Sequence, residues 1–197
     1  VAIALEALLL SGLSMLVAGS SAPASGGEHL ISHYIDMKQA LYGTANDLHG
    51  VQVGVATVHC LQLWEKVLAL GPDSIDPDTL ADAQPANEQI EKWAIEDWGA
   101  DVAAEVIAQW KQKSRPRDVL RAEITSFRDR LPQIREAVSK DLLPSTTVAN
   151  AIRESGGPTA PEGMNAPIEE YHNALLRARY IRNRFTILDL AAELGAL

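Results

Sequence analysis

Cysteine is almost missing from this sequence: Cys60 is the single thiol in 197 residues. One thiol forms no internal disulfide, and it excludes a zinc site built from several cysteines. It also suits a reducing compartment, so a cytoplasmic location is expected. Aromatic side chains make up only 5% of the chain against 47% apolar residues, so the core must come mainly from Ala, Leu, Val and Ile. Positive charge is scarce too: 17 Lys and Arg face 26 Asp and Glu, a net charge of −9. No basic stripe interrupts that balance, which argues against nucleic acid as a partner. No GxGxxG follows a strand pattern and no P-loop occurs, so the chain carries no visible nucleotide-binding domain. Strand patterns are also lacking, because β-branched residues do not cluster between turn signals.

Helical periodicity is what the sequence does have, over a length sufficient for one domain, 1–197. The opening VAIALEALLLSGLSMLVAGSSAPAS is apolar and ends near APA. It lacks a basic stretch ahead of the apolar run, and Glu6 lies within it. A signal peptide and a membrane span are therefore disfavoured, and a buried helix over 2–18 is the expectation. Ser25 is expected to cap a second helix, with Glu28 three residues on, ending at Gly43. A third should run from His49 to about Gly71. Residues 72–86 read as a loop with one helical turn at 77–81. Further helices are expected over 87–98, 100–112, 117–130 and 132–140 (joined or broken at Pro132), 145–154, 168–180 and the closing TILDLAAELG. The fold class expected is all-α and multi-helical, with about eight helices.

Five histidines stand out: His29, His33, His49, His59 and His172. His29 and His33 fall on one helical face, because residues four apart are neighbours there. Two imidazoles so placed can converge on a divalent cation, or they can simply be half-exposed histidines on an acidic protein; spacing does not decide. His49 begins the next helix and can point back toward the pair, with Glu28, Asp36 and Asp47 nearby. His59 and His172 read as structural. Ser25, Gly26 and Gly27 precede a helix N-terminus, where free N–H groups and the helix dipole favour an anion. The same residues also suit an ordinary capped turn.

The run GSSAPASGGEHLISHYIDM followed by LHGVQVGVATV resembles the sn-glycerol-1-phosphate dehydrogenases, a branch of the iron-type alcohol dehydrogenase, glycerol dehydrogenase and dehydroquinate synthase superfamily. The tail RARYIRNRFTILDLAAELG is similar to the bacterial branch associated with arabinose operons. The likeness is strongest over 1–60 and 175–195. It implies that this chain is the C-terminal helical metal- and substrate-binding domain of a two-domain enzyme, without the N-terminal α/β domain that binds most of NAD(P). It implies His29 and His49 as metal ligands and His33 as a catalytic residue beside substrate. Ser25, Gly26 and Gly27 would hold the substrate phosphate. A third ligand, an aspartate, would lie ahead of this stretch. Relatives often carry Arg where this chain has Ala22, which bears on phosphate preference.

The reaction implied is hydride transfer between NAD(P) and C2 of dihydroxyacetone phosphate, giving glycerol-1-phosphate at a metal-polarised carbonyl. The donor set suits zinc, nickel, iron or cobalt, and the resemblance points to zinc or nickel. A small phosphorylated substrate, a homo-oligomer and no membrane insertion are expected. The competing readings are a related metal-dependent polyol dehydrogenase or dehydroquinate-synthase-like enzyme, and a non-catalytic helical domain.

Overall fold

The computed structural model describes residues 2–197, and its helices are those of an all-α domain; no strand occurs among the described residues. Among the described residues nine helices follow in order: α1 Ala2–Ala18, α2 Gly27–Tyr42, α3 His49–Ala69, α4 Pro77–Ala83, α5 Asn87–Lys113, α6 Arg117–Val138, α7 Ser145–Glu154, α8 Ile168–Arg177 and α9 Ile187–Glu193. Short 3₁₀ turns sit at Ala22–Ala24, Pro72–Ser74, Pro161–Gly163 and Ala178–Tyr180.

The centre is α2. Its fully buried Ile31, Tyr34 and Ile35 pack with Val55, Ala56 and Val67 of α3, Tyr171 and Ala174 of α8, and Leu188 and Ala191 of α9. The connection from Gly43 to Leu48 is short, so α2 and α3 are forced to lie side by side. Gly27 lets that packing start early. A Cβ there would meet Cys60 Sγ and Leu188 Cγ at 3.1 Å each, so the first turn of α2 sits directly on α3 and α9. Buried charge ties the helices further. The Asp97 carboxylate of α5 accepts from Tyr34 Oη at 2.8 Å, Arg177 Nη1 at 2.9 Å and Lys38 Nζ at 3.4 Å, joining α2, α5 and α8.

The helices predicted over 87–98 and 100–112 both form; they are numbered together as α5 and are separated at Gly99, whose φ of 69° and ψ of 166° lie outside the helical region. Only Gly takes that conformation cheaply, so the break falls on it. Other boundaries differ from the sequence expectation. The 77–81 turn is a complete helix, with Pro77 in its first turn and Asp76 Oδ1 accepting from the Asp78 N–H. α6 passes through Pro132 without ending. Adjacent Leu131 is fully buried, and that packing holds the turn in place against proline's missing donor. Ser25 does not cap α2. Gly26 occupies the cap position, and Glu28 Oε1 accepts the Gly26 N–H at 2.7 Å.

The largest correction concerns α1. The sequence predicts a buried helix, yet Ile3, Leu9, Leu16 and Val17 are 75–83% exposed. The helix packs chiefly on the Ala22–Ala24 turn that follows it. It is apolar on all sides, a pattern that belongs inside a protein interior. Among the described residues no helix is long and apolar enough to cross a membrane. A naked apolar rod of this kind seeks cover. The isolated chain is therefore expected to self-associate in light scattering, and Leu9→Lys with Leu16→Lys to shift it toward monomer. A monodisperse native monomer would contradict this.

Candidate functional site

The start of α2 and the start of α3 bring three imidazoles together. Ring centroids of His29 and His49 lie 5.2 Å apart, those of His33 and His49 5.9 Å, and those of His29 and His33 6.3 Å. His29 and His33 share a face of α2, one turn apart, and His49 reaches across from the first residue of α3. His59 and His172 stand elsewhere. His59 Nδ1 shares a 2.7 Å hydrogen bond with the buried Tyr171 Oη, in keeping with a structural role.

The hydrogen bonds around the cluster set its proton positions. Gln52, fully buried, donates through Nε2 to Asp36 Oδ1 at 3.1 Å and to the Asp47 carbonyl at 3.0 Å. Its Oε1 is thereby turned toward Ser32, whose hydroxyl donates to it at 2.7 Å. Ser32 has only that one proton to give. At its 2.8 Å contact with His49 Nδ1 it must accept, so the proton sits on Nδ1 and the lone pair of His49 on Nε2. His29 is set in the same way. Its Nδ1 is 2.9 Å from Glu28 Oε1, which can only accept, so its lone pair is also on Nε2. A carboxylate behind one imidazole and a serine–amide–aspartate chain behind the other is the arrangement that orients metal-binding histidines.

His33 differs. It makes no hydrogen bond among the described residues, and its pKa is lowered from 6.5. Burial is the main cause, followed by the neighbouring His49, Arg182 and His29, with Asp36 acting in the opposite sense. It is thus biased toward the neutral imidazole near pH 7.

Fit to a divalent cation is partial. Two imidazole donors are present and oriented, but among the described residues no three His, Cys, Asp or Glu side chains form a ready metal site. Asp36 Oδ2 lies 3.8 Å from His49 Nδ1, on the rear face of the ring, and is not placed as a third ligand. Asp47 is engaged elsewhere, holding the Asn165 N–H and Nδ2 at 2.5 and 2.8 Å and so fastening the 155–167 loop beside the cluster.

The turn ahead of α2 lines an open cavity with Ala22, Ser25, Gly26, Gly27, Thr57 and Arg184. Arg184 donates to the Ser25 carbonyl and, at 3.1 Å, to Ser21 Oγ. Sequence reasoning missed this arginine, since 159 residues separate it from Ser25. The same holds for Arg182, exposed and close enough to bear on His33. Glu28 complicates the anion site: its carboxylate already occupies the Gly26 N–H, and an incoming phosphate would meet it.

With the geometry in place, comparison with known proteins is informative. No protein-family profile matches the chain, and no solved structure matches it significantly. Curated proteins named glycerol-1-phosphate dehydrogenase (NAD(P)+) do. One from Geobacillus stearothermophilus is 28% identical over 192 residues, covering 96% of this chain and 38% of that protein. Another from Halalkalibacterium halodurans is 48% identical over 60 residues, 30% of this chain and 15% of that protein. A third from Staphylothermus marinus is 46% identical over 70 residues, 33% of this chain and 19% of that protein. The chain spans between 15% and 38% of the length of these relatives. It is a homologue of the glycerol-1-phosphate dehydrogenases, and its all-helical fold fits the C-terminal domain of such an enzyme.

Proposed function

We propose that this chain is the metal- and substrate-binding part of an NAD(P)-dependent sn-glycerol-1-phosphate dehydrogenase. The observation that carries the reading is the pair His29 and His49, rings 5.2 Å apart, each with Nδ1 tied behind it and Nε2 free. A bound divalent cation, zinc or nickel in this reading, would supply a Lewis acid for a carbonyl oxygen, and NAD(P), bound mainly by a further domain, would supply the hydride. The chain's own residues do the rest. His29 and His49 hold the cation as two of its ligands. His33, biased toward neutrality, gives or takes the proton on the reacting oxygen. Ser25, Gly26 and Gly27 form the turn that takes the substrate phosphate, which requires the Gly26 N–H to exchange its bond to Glu28 for one to the phosphate. Arg184 stands beside them with a guanidinium suited to it, offsetting the absence of a cation at Ala22.

Titration calorimetry with zinc and nickel tests the ligand assignment. The chain should bind weakly, as two ligands allow, and His29→Ala should abolish the binding. If neither His29→Ala nor His49→Ala alters the isotherm, the non-catalytic helical reading gains. In the whole protein, preference for dihydroxyacetone phosphate with NADPH over glycerol with NAD is the expected outcome. The reverse would favour a related polyol dehydrogenase.

A further inference from the structure

On the side of α5 and α6 stands a second polar cluster, which the proposed reaction does not use. A cavity of about 240 Å³ lies between the starts of these helices and the Ala178–Tyr180 turn, with Arg179, Arg115, Glu193, Asn87, Trp110 and Ile90 on its wall. Arg179 is only 5% exposed. Its Nη2 donates to Tyr180 Oη at 2.6 Å, and its guanidinium carbon lies 4.7 Å from the centre of that ring. Its Nε has no partner, and no carboxylate lies within salt-bridge distance among the described residues. A buried guanidinium without a carboxylate in direct contact is costly.

The neighbouring charges are already matched. Lys113 pairs with Asp189 at 2.6 Å, and Arg115 pairs with both Glu193 at 2.6 Å and Glu123 at 2.5 Å. Arg117 spends its donors on the carbonyls of Ala81 and Gln84. Among the described residues Lys113 and Arg115 have carboxylates in direct contact and Arg179 has none, although Glu193 on the same wall is near enough to feel its charge. A second polar side chain, the exposed Asn87, borders the same space. Asn87 Oδ1 accepts from Trp110 Nε1 at 3.1 Å and Ser114 Oγ at 3.2 Å, so the amide is oriented and its Nδ2 is left without a partner among the described residues.

We propose that this cavity binds a small carboxylate through Arg179. A planar guanidinium fork matches a carboxylate. A single guanidinium with no carboxylate in direct contact suits a monoanion, and Glu193 and Glu123, which share Arg115, disfavour a dianion such as a phosphate ester. At about 240 Å³ the space falls just below the range of roughly 300–1,000 Å³ common for ligand pockets, too small for a nucleotide. Ile90, Trp110 and Leu120 give it an apolar lining, so a carboxylate with an apolar body fits better than formate.

Benzoate is a suitable probe, titrated into the chain while the Arg179 Nε–Hε resonance and the melting temperature are followed. Sodium chloride at matched ionic strength is the control. The resonance should shift saturably, and Tm should rise by about 5–10 °C at a hundredfold excess over Kd. Arg179→Met should lose the response and, without benzoate, melt no lower than the native chain, since it removes a buried unpaired charge. Arg179→Lys keeps the charge without the fork and should bind at least about tenfold more weakly. An unmoved resonance, an equal response to chloride, a retained response in Arg179→Met, or a marked fall in that variant's Tm would each overturn the proposal.

Discussion

Lys113→Ala is expected to destabilise the chain by about 3–5 kcal/mol, the cost typical of breaking a buried ion pair from one side. Lys113 and Asp189 side chains are 6% and 2% exposed, and Nζ lies 2.6 Å from Oδ1. Burial lowers the Lys113 pKa, and Asp189 opposes that shift. Asp189 favours the charged lysine in a place where burial works against it. Lys113 also donates to the Arg184 carbonyl at 2.9 Å, so its loss loosens the segment leading into α9. Asp189 serves twice, because its Oδ2 accepts the Thr186 N–H at 2.9 Å in the capping box of α9. Truncating the lysine strands that carboxylate in the core. Replacing both, Lys113→Met with Asp189→Leu, should cost far less, chiefly the cap at about 1 kcal/mol. Urea denaturation followed by circular dichroism measures both. A single-variant cost under about 1 kcal/mol would mean that water reaches the pair.

Ser32→Ala is expected to weaken divalent-metal binding by about 10–100-fold while leaving the helices intact, the range seen when a hydrogen bond behind a ligating histidine is removed. Ser32 is fully buried and touches no solvent, so an effect on the metal must pass through His49. Without the hydroxyl, Nδ1 of His49 loses its acceptor and the ring is free to carry its proton on Nε2, the nitrogen needed for the cation. Two readouts separate this from a general loosening. Imidazole ¹⁵N shifts should show His49 losing its Nδ1–H tautomer while His29, held by Glu28, keeps its own. Zinc affinity should fall in step. Unchanged affinity, or a tautomer change spread over both rings, would sink the relay.

Much of this was legible beforehand, and for identifiable reasons. The i, i+4 spacing of His29 and His33 is a property of any α-helix, so their shared face follows from the pattern. The Gly43 stop and the short connection bring His49 back to the start of α2, because so few residues leave little choice. The structural reading of His59 agrees with its bond to Tyr171. Other features were hidden. Arg184 and Ser25 are far apart in sequence, as are Lys113 and Asp189, and no local period announces such pairs. The break at Gly99, by contrast, was open to view, because a left-handed φ of 69° between two helices falls on the one residue that adopts it cheaply.

What the sequence by itself determined is local: helices from 3.6-residue periodicity and breakers, an aliphatic core from composition, and three histidines close enough in register to meet. Tertiary structure decided which nitrogen of each imidazole faces outward, which cation remains unpaired, and that α1 is left uncovered. The physical reason is that hydrogen-bond direction, desolvation and burial depend on groups distant in the chain, and those are set only when the helices pack.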